Sequence, residues 1–342
     1  MLNVFSDREA QNGVSRSFYE STIPFIVLLL GIVAISSTAI FIKVALKELT
    51  VEAILFDRLS ISTLTFASWS LGLEFWRSRG EDNNAISQTS SKTEEVSDSA
   101  KKAKPAIQLL AGLMILLVVT HTTGRFLYMW SLKQTTALNA LTLSNLTPIF
   151  TFLGAWLFVG KKFDRRFSIG LAIAVGGGFF LTLEDWLHLE EQTFGSMALL
   201  GDAAALLSAM VYALAILMAE RLLRYLPSLT FLTWRSAVSL AFIAPFVWLK
   251  SDSIIPVSTE GWLSILGLGL ICGVLARSLT TYAFKYFSAP FMTIVFLLEP
   301  FPVAFFAWIF LGEFISPFNI MGFILISIGI YLAKTGKGSD SV

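Results

Sequence analysis

Glu299 lies deep in an apolar run, LLEPFPVAFF, with Pro300 directly after it and Pro302 just beyond. A charged side chain at the centre of a helix in hydrocarbon costs roughly 2.5–3.5 kcal/mol on insertion scales, so a carboxylate kept there needs a reason. Two are open. The group can carry a transferable proton or bind an amine, or it can be a buried ion-pair partner that only shapes the bundle. Each proline lacks an N–H and opposes the carbonyl four residues back, at Phe296 and Leu298, which would leave acceptors beside the carboxylate.

Arg58, Arg125, Arg235, Arg277 and His121 also stand in apolar runs. Arg125 and Arg277 either line a pathway and bind an anionic group or pin helix-end carbonyls. His121 precedes Arg125 by one helical turn on the same face, as a transport residue or as a hydrogen-bonded core histidine. Arg58 and Arg235 lie about two turns from their helix starts and are expected to snorkel to the interface. Asn145 and Tyr282, with Ser36, Ser37, Thr38, Asn139 and Tyr212, are candidates to line a polar cavity; interhelical hydrogen bonding explains them equally well.

The elements that hold these residues follow from composition. The 342 residues are 55% apolar and 14% charged, with a mean hydropathy of +0.72, against roughly 25% charged in a soluble domain. Lipid is the solvent that such a surface needs. A net charge of +1 gives no footprint for nucleic acid. One cysteine, Cys272, and two histidines, His121 and His188, leave a metal site short of ligands, and no cofactor is expected. Gly176-Gly177-Gly178 is no phosphate loop, because it lies in an apolar span without the following Lys. With no nucleotide-binding motif, ATP-driven pumping is disfavoured.

A helix crossing the ~30 Å hydrocarbon core needs about 20 mostly apolar residues. Ten stretches qualify: 23–43, 52–76, 106–131, 137–159, 167–187, 197–219, 228–249, 261–284, 288–311 and 317–333. Trp76, Trp130, Trp186, Trp248 and Trp262 fall at span ends, where amphipathic rings favour the interface. With the N-terminus cytoplasmic, seventeen Lys and Arg lie on inner segments and four on outer ones. Both termini are therefore expected to be cytoplasmic; the plasma membrane is the expected location, although the charge bias does not specify which membrane. Residues 1–22 read as a cytoplasmic tail rather than a cleaved leader, and 335–342 as a second tail.

The chain repeats itself. Arg125 and Arg277, Lys133 and Lys285, Pro148 and Pro300, Trp156 and Trp308, Gly160 and Gly312, Gly170 and Gly322, and Gly177 and Gly329 are each 152 residues apart. Upstream the offset is 177, pairing Arg58 with Arg235 and Leu49 with Leu226. Glu299 is matched by Thr147, so the acidic position is asymmetric. The extra 25 residues of the first half fall in 77–104, a Ser/Glu/Lys-rich stretch that is expected to be a disordered cytoplasmic loop. Residues 23–187 and 197–334 thus form two five-helix halves joined by 188–196. An odd helix number turns the second half over, giving an inverted repeat, a known route to alternating access. Gly201, Ala205, Ala209 and Ala213, and Gly269 with Gly273, form small ridges suited to close helix packing.

The stretch TYAFKYFSAPFMTIVFLLEPFPVAFFAWIFLGEF, followed by IMGFILISIGIYLA, resembles the second EamA repeat of the drug/metabolite transporter superfamily. The first copy reads MWSLKQTTALNALTLSNLTPIFTFLGAWLFVGKKF, then IGLAIAVGGGFFL. The Gly-Glu that follows the proline-bearing helix in that family is kept as Gly312-Glu313 but becomes Gly160-Lys161 in the first half. The resemblance implies an all-α integral membrane protein with ten transmembrane helices as two inverted five-helix repeats. It also implies a secondary-active carrier, not an enzyme, that exports or exchanges small polar metabolites, amino-acid-like compounds or drugs. The alternative within transport is an antiporter of phosphorylated or nucleotide-linked sugars, and from another class a membrane sensor or enzyme. Expected partners are a small-molecule substrate and the lipid bilayer, with protons as a candidate coupling ion; a homodimer is compatible with all of this.

Overall fold

The computed structural model describes residues 22–82, 93–135, 137–187, 196–250, 255–311 and 315–340. The expected tail 1–22 and connection 188–196 fall almost wholly outside them. The described residues form helices α1 (Thr22–Ala45), α2 (Val51–Asp82), α3 (Thr93–Gln134), α4 (Asn139–Val159), α5 (Arg165–Leu187), α6 (Ser196–Tyr225), α7 (Ser228–Lys250), α8 (Thr259–Ala283), α9 in two pieces (Ala289–Phe296 and Pro300–Leu311) and α10 (Pro317–Thr335). Eight of them, all but α2 and α7, contain stretches long and apolar enough to cross a membrane. At about 1.5 Å per residue α2 and α7 have the length to cross, and they carry Arg58 and Arg235.

Local chemistry sets the ends. Ser258, Ser288 and Ser316 cap α8, α9 and α10, each side chain accepting the N–H three residues on, and Pro290 and Pro317 sit in the first turns of α9 and α10. Asp164 caps α5 through the Phe167 N–H at 2.8 Å. α4 stops at Gly160, whose φ of 69° only a residue without Cβ adopts freely.

Residues 77–104 depart from the expected irregular loop. α2 continues to Asp82 and α3 begins at Thr93; residues 83–92 lie outside the described residues. Ala, Glu and Lys dominate 94–104, and acids precede bases along it, which suits both helix propensity and the helix dipole.

α5 packs along α10, α3 along α6, α2 along α7, α4 along α9, and α8 along α1 and α2. The α5–α10 seam is a backbone contact. A Cβ on Gly170 would come within 2.6 Å of the Gly329 carbonyl, and one on Gly177 within 2.8 Å of the Gly322 carbonyl. Ala205, Ala209 and Ala213 are buried on α6, while Gly269 and Gly273 of α8 receive Ile61 and Ser62 of α2. Large apolar side chains such as Trp76, Phe126, Phe158 and Trp248 are exposed, the arrangement of a bundle whose outer solvent is lipid.

The bases of the breaks in α4 and α9 are alike. At Leu146 and Ile149, and at Leu297–Glu299, the chain switches to tighter three-residue bonds. Pro148 and Pro300 then stand in the first turns of the second pieces. This corrects the expectation of open carbonyls: Phe296 O accepts the Glu299 N–H and Leu298 O accepts the Phe301 N–H. Pro302 is buried in the first turn of its piece.

Candidate functional site

A cavity of about 130 Å³ lies among α2, α3, α7 and α8. Arg58, Arg125, Arg235 and Arg277 all line it, with His121. Arg58 and Arg235 therefore do not snorkel to an interface: their helices turn the guanidiniums inward, because an internal polar cavity is a better environment than lipid for a charge two turns from a helix end. Their shared 177 offset was the signal for a common role; depth along the helix concealed it, since depth says nothing of rotation.

The wall is built from matched residues. At the 177 offset Leu55 pairs with Leu232, Arg58 with Arg235, Leu59 with Ser236, Ser62 with Ser239 and Phe66 with Ile243; at the 152 offset His121 pairs with Gly273 and Arg125 with Arg277. Only Thr122 and Phe242 of the lining residues stand outside this pairing.

Neighbours hold the polar groups in place. Arg125 Nε donates to the Tyr212 hydroxyl at 3.2 Å, and the His121 ring meets the Tyr212 ring edge-on at 5.3 Å, so one α6 tyrosine orients both α3 groups. Arg58 Nη2 points to the Cys272 carbonyl at 3.5 Å, inside a π-helical turn, Gly267–Leu275, that nothing in the residue pattern announces. Such turns often mark functional positions in helices. Ser62 Oγ donates to the carbonyls of Arg58 and Gly269, joining α2 to α8 at the cavity edge.

Other candidates lie away from this wall. Asn145 donates to the Gly178 carbonyl at 3.2 Å, tying α4 to α5. Tyr282 pairs with Tyr286, hydroxyl to hydroxyl, at 3.0 Å. Glu299 stands at the break of α9, where its backbone carbonyl accepts from Ser36 Oγ at 3.0 Å. Its carboxylate has no ion pair among the described residues, although the charges of Arg125, Arg277 and Arg58 act on it. Asp57, one residue before Arg58, is a further intramembrane acid; its Oδ2 is shielded from solvent and has no hydrogen-bond partner among the described residues. No cluster of three or more metal-ligating side chains occurs among the described residues.

The EamA-like transporter family matches residues 22–183 and again 199–335. The chain belongs to that family. It is 25% identical over 295 residues to an uncharacterized transporter of Archaeoglobus fulgidus, covering 86% of this chain and 91% of that one. It is 27% identical over 270 residues to a WAT1-related protein of Arabidopsis thaliana, covering 70% and 69%. Over 212 residues it is 24% identical to the pseudopaline exporter CntI of Pseudomonas aeruginosa, covering 62% and 71%. A solved crystal structure shares the fold at a TM-score of 0.65 and 16% identity, covering 90% of this chain and 98% of that one. The protein is thus a multi-pass membrane transporter of the EamA-like family, and the recognition drawn from its two repeats is borne out.

Proposed function

We propose that this EamA-like protein is a secondary-active carrier that exports or exchanges a small polar metabolite by alternating access through the cavity between α2, α3, α7 and α8. In this reading α1–α5 and α6–α10 are inverted repeats giving ten crossings, with both termini cytoplasmic in the plasma membrane. The observation that carries it is the composition of the cavity wall, which is matched pair by pair at the two repeat offsets. A site on the pseudo-two-fold axis between inverted halves can be exposed to either side by exchanging the conformations of the halves. Helix packing follows the same relation: α2–α7, α4–α9 and α5–α10 map onto themselves, and α3–α6 maps onto α8–α1.

Two carbon-rich clusters flank the cavity along the bundle. Phe66, Leu117, Leu222 and Phe231 pack at one end, and Ala45, Leu49, Ile54 and Ile265 at the other. Leu222 and Ala45, and Phe231 and Ile54, are repeat mates, as expected of two gates that open in turn. The four arginines favour, as a second reading, antiport of phosphorylated sugars over carriage of drugs or neutral amino acids.

The test is accessibility of Ser239→Cys to an impermeant thiol reagent in right-side-out and inside-out vesicles; native Cys272 is fully buried. Labelling from both sides is expected. Labelling from one side only would leave a static pocket and sink alternating access.

A further inference from the structure

The four cavity arginines form no ion pair among the described residues, and Glu299, whose charge reaches three of them, stands outside the wall. Among the described residues the one ion pair is Arg224–Glu220, which lies elsewhere. Arg58 and Arg125 have only the neutral partners Cys272 O and Tyr212 OH, and Arg235 and Arg277 make no hydrogen bond among the described residues. No acidic side chain lines the cavity. Guanidinium groups hold their charge and are weakly hydrated, so four of them around one small space repel strongly where the dielectric is low. A structural role would require carbonyls or carboxylates to absorb that charge, and the wall offers almost none.

We propose that the cavity binds a small organic dianion, its charged oxygens held by guanidiniums contributed by both halves of the chain. The inference rests on the cavity being the transport site. Two pairs of like residues related by the repeat present guanidiniums from two sides, which two carboxylates, or the several oxygens of one phosphate, satisfy together. Guanidinium forks match carboxylate and phosphate oxygens bidentately. The volume of about 130 Å³ is small beside the roughly 300–1,000 Å³ of sites for drug-sized ligands, which favours a metabolite of a few carbons over a nucleotide. The two sides are not identical: where α3 presents His121, α8 presents Gly273, so the ligand is held in one preferred orientation in each access state.

The test is the thermal unfolding midpoint of the purified full chain at constant ionic strength, titrated with succinate, glycerol 3-phosphate, acetate and glycerol. A saturable rise with succinate, with glycerol 3-phosphate or with both, and tenfold weaker or absent with acetate and glycerol, is expected. Response to succinate alone assigns a dicarboxylate; response to glycerol 3-phosphate alone assigns a phosphate ester. Arg58→Gln and Arg235→Gln should each weaken that binding at least tenfold, Arg58→Lys less so, and Arg224→Gln not at all. Equal response to acetate or glycerol, no response to any probe, or unchanged binding in both Gln variants would overturn the proposal. Two-sided labelling at position 239 needs no ligand, so transport by alternating access stands or falls separately.

Discussion

Lys161 donates its ammonium proton to the backbone carbonyl of Asp340, so the inter-helix turn 160–164 is fastened to the end of the chain. The same short segment gives Ser339 O to the Ser288 N–H, Gly338 O to the Ser288 hydroxyl and Lys337 O to the Asp164 N–H. Lys161 is buried at 8% exposure, and a glutamate there would face carbonyls. This explains why the first half carries Lys161 where the second has Glu313. Lys161→Glu is expected to lower the unfolding midpoint, by an amount in the range of about 3–5 kcal/mol that accompanies a buried charge without a partner. Lys161→Arg should retain most of the stability. Differential scanning fluorimetry in detergent reads both.

The Asp164 carboxylate is held below its ordinary range chiefly by the Phe167 N–H, then by the Lys337 N–H. A carboxylate with a depressed folded-state pKa stabilises above its unfolded value and loses that contribution as pH falls through the folded one. Stability measured from pH 7 down to about pH 3 should therefore decline in part through Asp164. Asp164→Asn, which can still cap, should flatten that portion of the profile while keeping the neutral-pH midpoint close to wild type; an unchanged profile would show that Asp164 titrates without linkage.

Gly176 and Gly177 are neighbours with opposite fates. Nothing lies within 4 Å of a Cβ on Gly176, whereas a Cβ on Gly177 meets Gly322 and Ile326 at 2.8 Å. Gly176→Ala should be neutral or slightly stabilising, by up to about 1 kcal/mol from helix propensity. Gly177→Ala should cost about 1–3 kcal/mol as α5 and α10 are forced apart. Midpoints of the two purified variants decide this.

Sidedness is best read at exposed positions. Ser339 is 4% exposed and its hydroxyl is bonded to Gly336 O, so silence of a cysteine there would report burial. Lys337 is exposed. Lys337→Cys should resist an impermeant thiol reagent in intact cells and react after permeabilisation, and a cysteine at Thr193 should react without it. Reaction of position 337 in intact cells would invert the orientation.

Glu299→Gln should fold, because Ser36 binds the backbone carbonyl of residue 299 and not its carboxylate. If Glu299 carries the coupling proton, the variant loses pH-driven uptake in proteoliposomes and keeps slow downhill exchange. An unchanged rate and pH profile would make Glu299 a structural residue and turn attention to Asp57.

Much of this architecture is legible in the residues. Apolar length marks most of the helices, and the two offsets identify Arg58–Arg235 and Arg125–Arg277 as mates before any coordinates. What the pattern does not carry is helix rotation. Arg58 at two turns from a helix start reads the same whether it faces lipid headgroups or a cavity. Tyr282 and Asn145 look like cavity residues for the same reason, although their partners are Tyr286 and Gly178. The α8 π turn is invisible because Gly267–Leu275 is composed of ordinary helix residues for a membrane span.

The close approach of Gly170 to Gly329 and that of Gly177 to Gly322 exchange when the 152-residue offset is applied. A surface with this property is isologous, like the interface of a two-fold homodimer. Each half therefore carries both faces of its own docking seam and behaves, in assembly terms, as a subunit meeting a second copy of itself. Covalent fusion holds the stoichiometry at one to one. That leaves either half free to diverge elsewhere, as His121 has from Gly273 and Lys161 from Glu313, so long as the glycines of the seam stay as they are.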